Sequence, residues 1–129
     1  MEKYYFDGSQ PEKGRCFIIL IGDRKIGQIN YHDINRGNKS VELDIIIALA
    51  EDKGKGYGPD ALRALATYLF KNMGVETCEI IPIAENKRAI SAYKKAGFKT
   101  VKTYTKDGME CIHMELNSNR SNITDDNPR

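Results

Sequence analysis

The sequence predicts an α+β fold in which a mixed, mostly antiparallel β-sheet is flanked by helices. Short apolar runs separated by turn residues stand in pairs near both ends of the chain, which is typical of β-hairpins. Between these pairs, two stretches place apolar or aromatic residues at helical spacing. A glycine-rich segment, residues 53–58, joins a strand-like run to the first of these helical stretches.

The front half is predicted to contain three antiparallel strands and one helix. Residues 1–14 are polar and rich in turn formers, so we expect a loosely attached arm there. The predicted strands, joined by glycine-containing turns, cover residues 16–21, 26–31 and 40–48. The helix of residues 59–73 presents an apolar stripe made of Leu62, Leu65, Ala66, Leu69, Phe70 and Met73. Gly74 is suited to end that helix.

The back half is predicted to contain a strand, a helix and a final hairpin. The strand of residues 77–81 is stopped by Pro82. Asn86 can cap the next helix, on which Ala89, Ile90 and Tyr93 share a face. Gly97 followed by Phe98 fits a Schellman ending, with the glycine in the left-handed conformation. The hairpin strands then cover residues 99–105 and 110–116.

Residues 117–129 are predicted to form a disordered tail, because Ile123 is their only large apolar residue. The tail contains N-x-S/T sequons at Asn119 and Asn122. Because no secretory signal precedes them, these sequons are expected to be chance matches.

Size and composition predict one ordinary globular domain. The chain has 129 residues, of which 40% are hydrophobic and 29% are charged. Its net charge of +2 comes with scattered lysines, so we expect no nucleic-acid partner. No run reaches the ~18 apolar residues that a membrane helix needs, so we expect no membrane association.

The cysteines and histidines give no sign of a disulfide or a metal site. Cys16, Cys78 and Cys111 are far apart in strand-like runs, so buried, reduced thiols are expected, which suits the cytoplasm. His32 and His113 have no cluster of cysteines or carboxylates near them in the sequence. No metal is therefore predicted.

The glycine-rich segment Lys53-Gly54-Lys55-Gly56-Tyr57-Gly58 predicts an anion site. A turn that leaves a strand and opens a helix directs free backbone N–H groups and the positive end of the helix dipole at one point. Glycines allow positive φ and let an oxygen approach without meeting a Cβ. No Gly-Lys-Ser/Thr closes the loop, and no dinucleotide fingerprint fits. The alternative is a glycine turn with no ligand.

The strand before this loop carries two carboxylates on one face. Side chains alternate along a strand, so Glu42 and Asp44 share a face. The other face is apolar and is made of Val41, Leu43, Ile45 and Ile47. The carboxylates either serve a ligand or form a solvated outer face of the sheet.

Two motifs together resemble the GCN5-related N-acetyltransferase (GNAT) superfamily. Its Q/R-x-x-G-x-G/A signature is matched by residues 53–58, with lysine at the first position. Its N-x-R-A-I-x-x-Y-x-K-x-G-F pattern is matched by residues 86–98. The resemblance spans residues 15–116, which it identifies as an acetyltransferase domain, and it implies direct transfer from acetyl-CoA to an amine.

The resemblance also implies residue roles. Contacts to the pyrophosphate of CoA would come from the backbone amides of Lys55, Gly56, Tyr57 and Gly58, with Lys53 and Gly54 beside them. Contacts to the pantetheine arm would come from Ile47, Ala48 and Leu49, where the family's sheet diverges. Asn86 and Tyr93 match positions that touch CoA and its sulfur. Tyr93 would be the general acid, with a core aromatic as the alternative.

A narrower resemblance is to aminoglycoside 6′-N-acetyltransferases. It is carried by Leu43-Asp44-Ile45 and by the interval from Asp44 to the glycine loop. It implies that Asp44 binds the acceptor amine and acts as its base, with Glu42 in support. These enzymes commonly have Asp-Pro after the next strand, whereas this chain has Ile81-Pro82. The missing carboxylate removes one expected contact to a polycationic sugar. The expected acceptor is therefore a small cationic amine, either an aminoglycoside or another amine.

The front of the chain departs from the superfamily. Its members usually begin with a strand and two helices, for which the 14 residues before Arg15 are too few. Either the chain is a fragment or a natural short form, or a partner subunit completes the wall of the acceptor site. The strand of residues 16–21 would otherwise be an exposed apolar edge, so a homodimer is expected. The alternatives to an enzyme are a non-catalytic CoA-binding module and an interaction domain with an incidental glycine turn.

Overall fold

The fold is a six-stranded sheet with two helices on one face. In the computed structural model, residues 13–118 are described. The strands are β1 (Gly14–Ile21), β2 (Arg24–Asn35), β3 (Ser40–Ile47), β4 (Thr77–Ile80), β5 (Lys99–Lys106) and β6 (Met109–Asn117). The helices are α1 (Tyr57–Asn72) and α2 (Lys87–Ala96), and a 3₁₀ turn, Ala50–Asp52, precedes α1.

The strands lie in the order β1-β2-β3-β4-β6-β5. Every neighbouring pair is antiparallel except β3 and β4, which are parallel. The predicted α+β fold with a mixed, mostly antiparallel sheet is therefore confirmed. Between β3 and β4 the chain passes through α1, the crossover that a parallel pair requires.

The core lies between the helices and one face of the sheet. The alternation of apolar and polar residues along the strands directs the apolar ones to this face. The stripe of α1 packs on them, and α2 adds Ile90 and Ala96. Among the largest fully buried side chains are Tyr31, Phe98, Ile26, Leu43, Leu62, Leu69 and Met114. Neither helix is long and apolar enough to cross a membrane, within the described part of the chain.

The predicted helix ends are confirmed. Gly74 has a φ of 68° after α1, and Gly97 has a φ of 107° after α2. The N–H of Phe98 donates to O of Tyr93 and the N–H of Gly97 donates to O of Lys94, which is the Schellman pattern. Asn86 caps α2, because its Oδ1 accepts from the N–H of Ala89 at 3.1 Å.

Several predicted boundaries were wrong by one to four residues. The loop from β1 to β2 is only Gly22-Asp23, so β2 begins at Arg24, which had been assigned to the turn. A two-residue loop suffices because Gly22 has a positive φ of 62°. At the other end β2 continues through an irregular register to Asn35. Helix α1 starts at Tyr57, two residues before the predicted start.

Two residues at the predicted domain limits belong to strands. Gly14, assigned to the N-terminal arm, is the first residue of β1, and Asn117, assigned to the tail, is the last residue of β6. Apart from these positions, Lys13 and Ser118, the predicted arm and tail lie outside the described residues, as do both sequons. All three cysteines are free, as expected, but only Cys78 is buried. Burial raises the pKa of the Cys78 thiol to about 12, with a smaller contribution from Glu79.

Candidate active site

The sheet opens between β3 and β4. These strands pair over three residues only, from Ser40 with Thr77 to Glu42 with Glu79. Beyond this point β3 runs on to Ile47, while β4 ends at Ile80. A gap therefore separates the second half of β3 from the segment that follows β4. It is the divergence that the pantetheine contacts require.

A cavity of about 500 Å³ lies at this gap and extends to the start of α1. It is lined by seven of the predicted cofactor-binding residues, namely Ile47, Lys53, Gly54, Gly56, Gly58, Asn86 and Tyr93. Four others, Ala48, Leu49, Lys55 and Tyr57, are not part of its lining. Further residues complete the wall, and among them Arg88 and Lys95 on α2 add positive charge. The structure thus brings both sequence motifs to one cavity.

The glycine loop exposes its backbone. Gly54 and Gly56 have φ values of 78° and 88°, and a Cβ built on either would meet nothing within 4 Å. Within residues 13–118, no protein acceptor is recorded for the backbone N–H groups of Lys55, Gly56, Tyr57 and Gly58. Pro59 costs no hydrogen bond because it lies in the first turn of α1. Gly56 and Gly58, which carry two of these free donors, line the cavity at the positive end of α1.

Asp52 anchors this loop, a role that no sequence motif predicted. Its side chain is 1% exposed, and both of its oxygens accept from Arg24 at 2.9 Å. The hydrogen bonds from the guanidinium outweigh the opposing effect of burial and lower the pKa of Asp52. Arg24 begins β2 and Asp52 ends the 3₁₀ turn, so this bidentate pair ties the loop to the sheet.

We expect Asp52→Asn, a change at a residue of the cavity lining, to weaken binding of the acetyl-CoA that the family resemblance implies. The asparagine amide at position 52 cannot accept two hydrogen bonds from Arg24, so the loop loses its anchor. A bound substrate would then lie slightly out of position, and such a displacement lowers kcat/KM by about 10²-fold. The pair stabilises the fold above the ordinary pKa of an aspartate, and that stabilisation disappears as pH falls towards the lowered value. The measurements are the Kd for acetyl-CoA and a melting series in acid.

Asp60→Asn is the matched control. Asp60 also pairs with an arginine, Arg63 at 3.0 Å, but its side chain is 79% exposed. Exposed pairs contribute less than about 1 kcal/mol. An unaltered acetyl-CoA affinity in Asp52→Asn would show that the Arg24 pair does not shape the loop.

Tyr93 faces the cavity from α2 and also packs on the core. It is half-buried, and its ring lies 6.4 Å from the ring of Phe98. The Schellman bond from Phe98 to O of Tyr93 fixes the same pair. Burial raises the pKa of Tyr93, and the charge of Asp44 raises it further. The phenol therefore keeps its proton, and the charge of Asp44 contributes to holding it there.

The sheet face opposite the helices carries a row of carboxylates. Glu42, Glu79 and Glu115 stand directly opposite one another on β3, β4 and β6. Asp44 lies two residues beyond Glu42, with a side chain that is 56% exposed. We call these four residues the carboxylate face. Burial raises the pKa of Glu42, and the charge of Asp44 adds to that shift against the lowering effect of His32.

The fold brings carboxylates to both histidines, which the sequence did not predict. His32 lies against Glu42 and Asp44, and His113 lies against Glu79 and Glu115, with ligand atoms in each group within 4.8 Å of one another. The register brings His32 of β2 to Glu42 and Asp44 of β3, and it brings Glu79 of β4 to His113 and Glu115 of β6. His113 Nε2 lies 3.0 Å from Oε2 of Glu115. Both histidines thus belong to the polar face of the sheet.

The chain is similar to known proteins in sequence and in fold. A family model described as an acetyltransferase (GNAT) domain matches residues 1–99. Aminoglycoside N(6′)-acetyltransferase type 1 of Klebsiella pneumoniae is 36% identical over 72 residues, covering 56% of this chain and 36% of the relative. Spermidine N(1)-acetyltransferase of Escherichia coli K12 is 30% identical over 97 residues, covering 75% of this chain and 50% of the relative.

A solved structure of AAC(6′)-Ib in complex with ribostamycin and coenzyme A superimposes with a TM-score of 0.75. It is 26% identical, and the match covers 88% of this chain and 69% of that chain. The chain spans only about a third of the length of the aminoglycoside acetyltransferase and half of the length of the spermidine acetyltransferase named above. With residues 1–99 inside the family match, the chain belongs to the GNAT acetyltransferase family.

Proposed function

We propose that this chain transfers an acetyl group from acetyl-CoA directly to a primary amine of a small cationic acceptor. The observation that carries the proposal is the cavity in which exposed backbone amides of the glycine loop meet the gap in the sheet and Tyr93. The glycine-loop end of the cavity suits the two anionic phosphates of CoA, and the gap in the sheet suits its extended pantetheine arm. The family membership and the two kinds of acetyltransferase among the relatives support the same reaction.

The cofactor end of the site uses the backbone. Amides of the glycine loop would hold the pyrophosphate, and Lys53 and Lys55 would add charge at the rim. The β3 backbone from Ile47 to Leu49 would meet the pantetheine arm. Asn86 would contribute through its Nδ2, because its Oδ1 is used in the helix cap. These contacts would place the thioester in the gap, near Tyr93.

The acceptor end would use carboxylates. An alkyl ammonium keeps its proton near pH 7 and cannot attack a thioester in that state. Asp44 would bind the ammonium and remove a proton from it, with Glu42 in support. The nitrogen would lose its second proton to solvent once the C–N bond has formed. Tyr93 would give its phenolic proton to the CoA sulfur as the C–S bond breaks, and solvent would restore that proton.

The carboxylate face favours an acceptor with more than one positive charge. Like charges directly opposite one another destabilise a sheet, and here three carboxylates stand in line across β3, β4 and β6. The strands are about 4.8 Å apart, which is close to the separation of ammonium groups on a short diamine. Aminoglycosides and polyamines are both such polycations. Lys99 faces Glu115 at the far end of the row.

The test has two steps. Calorimetry with acetyl-CoA should show binding, and a heat-silent titration at millimolar ligand would end the proposal. A panel of aminoglycosides, polyamines and peptide N-termini, followed by thiol release, should then identify the acceptor. Binding of acetyl-CoA with no transfer to any amine would instead support a non-catalytic CoA-binding module.

We expect Tyr93→Phe to slow the reaction without weakening acetyl-CoA binding. The ring keeps its contact with Phe98, but the proton donor for the leaving thiolate is lost, so kcat falls by about 10²-fold or more. Because the pKa of Tyr93 is raised, wild-type activity should persist into mildly alkaline solution. Tyr68→Phe, at an exposed tyrosine of α1, is the control. Equal kcat values for the two variants would remove Tyr93 from the role of acid.

We also propose that two copies associate through β1 in the cytoplasm. Among the described strands, β1 is an edge that pairs only with β2, and its Leu20 is 53% exposed. Light scattering at micromolar concentration should give twice the chain mass of 14.6 kDa. Leu20→Lys should shift the mass towards one copy. A monomer mass for the wild-type chain would contradict this proposal. The three free cysteines suit a reducing compartment.

A further inference from the structure

His32 occupies one oxygen of Asp44 and leaves the other available. Its Nε2 lies 2.5 Å from Oδ2 of Asp44, across the neighbouring strands β2 and β3. Within residues 13–118, this is the only recorded hydrogen bond or ion pair of Asp44. The side chain of Asp44 is 56% exposed, so Oδ1 can meet a ligand on the carboxylate face. The two oxygens of Asp44 therefore have different surroundings.

The ring of His32 is also fixed from its other side. Its Nδ1 lies 3.2 Å from Oδ2 of Asp33. Neighbouring side chains of a regular strand point to opposite faces, so Asp33 could not make this contact in a regular strand. Asp33 instead has a φ of 52°, and the register with β3 shifts between His32 and Asn35. Such an irregularity redirects a side chain, and here it brings a carboxylate to the nitrogen that faces away from Asp44.

The two contacts favour a charged ring. An ionised carboxylate only accepts hydrogen bonds, so a ring that faces two of them satisfies both when each nitrogen carries a hydrogen. Partial burial lowers the pKa of His32, but the hydrogen bond to Asp44 and the charges of Asp44, Glu42 and Asp33 outweigh it, and the pKa is raised. On β1 the residue opposite His32 is Gly14, which adds no charge. The ring therefore stays positive to a higher pH than an ordinary histidine.

The charged and neutral rings differ in their effect on a cation. The longer contact, to Asp33, is made to a side chain that is 76% exposed, so Nδ1 is the nitrogen that loses its hydrogen as pH rises. Nε2 keeps its hydrogen and still donates to Oδ2 of Asp44. The charged ring repels an ammonium that approaches Oδ1, whereas the neutral ring does not. The position of Asp44 is thus the same in both states, and only the local charge changes.

We propose that His32 is a positioning residue of the acceptor site, which holds Oδ2 of Asp44, leaves Oδ1 to the incoming ammonium, and competes with that ammonium through its own positive charge. This inference rests on the proposed function, because it starts from Asp44 as the group that binds the acceptor. The acceptor binds more tightly once Nδ1 has released its proton to water. By linkage, a bound acceptor must favour the same release. His32 takes no proton from Asp44 or from the amine.

Two substitutions of His32 separate its position from its charge. In His32→Gln the amide can still donate a hydrogen bond to Asp44 but carries no charge, whereas the leucine of His32→Leu does neither. We expect kcat to fall by about ten- to 10²-fold in His32→Leu, because Asp44 is no longer held in place. His32→Gln should keep most of the wild-type kcat. Steady-state kinetics with the panel amine that gives the fastest thiol release measure both.

The pH dependence of KM for this amine tests the charge. An alkyl ammonium keeps its proton from about pH 6 to about pH 8, so a change in KM over this range comes from the protein. In the wild type KM should fall by about three- to tenfold as pH rises, the effect of removing one nearby charge. His32→Gln should show the low KM throughout. His113→Gln is the matched control and should keep the fall, because His113 pairs with Glu115 and, in the described part of the chain, has no recorded contact with Asp44.

An NMR titration measures the same competition without acetyl transfer. The chain has two histidines, so His113→Gln leaves His32 as its only imidazole. The titration midpoint of His32 should lie above the ordinary value of about 6.5. It should fall when CoA and a saturating concentration of the same amine are added at constant ionic strength. A purely structural histidine would keep its midpoint.

The outcomes separate this inference from the proposed function. Suppose that the wild type transfers acetyl groups but its KM does not fall, that the fall persists in His32→Gln, or that the amine leaves the midpoint in place. In any of these cases the inference is wrong and the proposed function stands. A kcat that is unchanged in His32→Leu, or equally low in both variants, also contradicts it. If the wild type transfers to no amine, the proposed function fails and the inference fails with it.

Discussion

Asp44→Asn should lower turnover of an amine acceptor by about 10²–10⁴-fold, the usual contribution of a general base. Asparagine keeps the size of the side chain but cannot take a proton, and it loses the charge that attracts an ammonium. KM for the amine should therefore rise as well. The affinity for acetyl-CoA should stay unchanged, because Asp44 does not line the cavity. Steady-state kinetics and calorimetry measure the two effects separately.

Asp107→Asn is the control for this substitution. Asp107 lies in the turn of the distal hairpin with a φ of 53°, a conformation that asparagine also tolerates. It should behave as the wild type in both measurements. Unchanged turnover in Asp44→Asn would remove Asp44 from the role of base.

Gly56→Ala should raise the Kd for acetyl-CoA by about ten- to 10²-fold. Gly56 has a φ of 88° at the N-terminus of α1, and its added Cβ would enter open space in front of the loop. A phosphate approaching the amides would meet that methyl group, and losing one charge-assisted hydrogen bond costs about 1.5–3 kcal/mol. The strained conformation should also destabilise the fold by about 1–2 kcal/mol.

Gly22→Ala separates the two costs. Gly22 has a φ of 62° in the first hairpin, and a Cβ there also meets nothing within 4 Å. Its thermal destabilisation should therefore equal that of Gly56→Ala, whereas its affinity for acetyl-CoA should match the wild type. Equal affinities in the two variants would show that the glycine loop does not hold the phosphates.

Local patterns predicted most of the fold. Apolar periodicity located both helices, and Gly74, Asn86 and Gly97 predicted their ends, because a cap depends on residues that are adjacent in sequence. The predicted ends of the strands were less accurate than those of the helices. They depend on register with a neighbour, and the length of β2 is set by its pairing with β1 and β3.

The missed parts of the site are contacts between distant segments. Arg24 and Asp52 are 28 residues apart, and His32 and Asp44 are 12 apart, so neither pair forms a sequence motif. Gly27 is a further example, because a Cβ there would lie 2.1 Å from O of Ile46 on β3. Its close approach helps to set the path of β3 beside the gap. Only the folded sheet reveals these pairings.

The short parallel pairing has a mechanical consequence. The sheet consists of two antiparallel halves, β1-β2-β3 and β4-β6-β5. Three residue pairs between β3 and β4 and a few flanking backbone hydrogen bonds join these halves along a seam. Among the described strand pairs, this seam has the fewest paired residues. A molecule that bridges it would bind to both sides at once and would make the two halves melt as one unit.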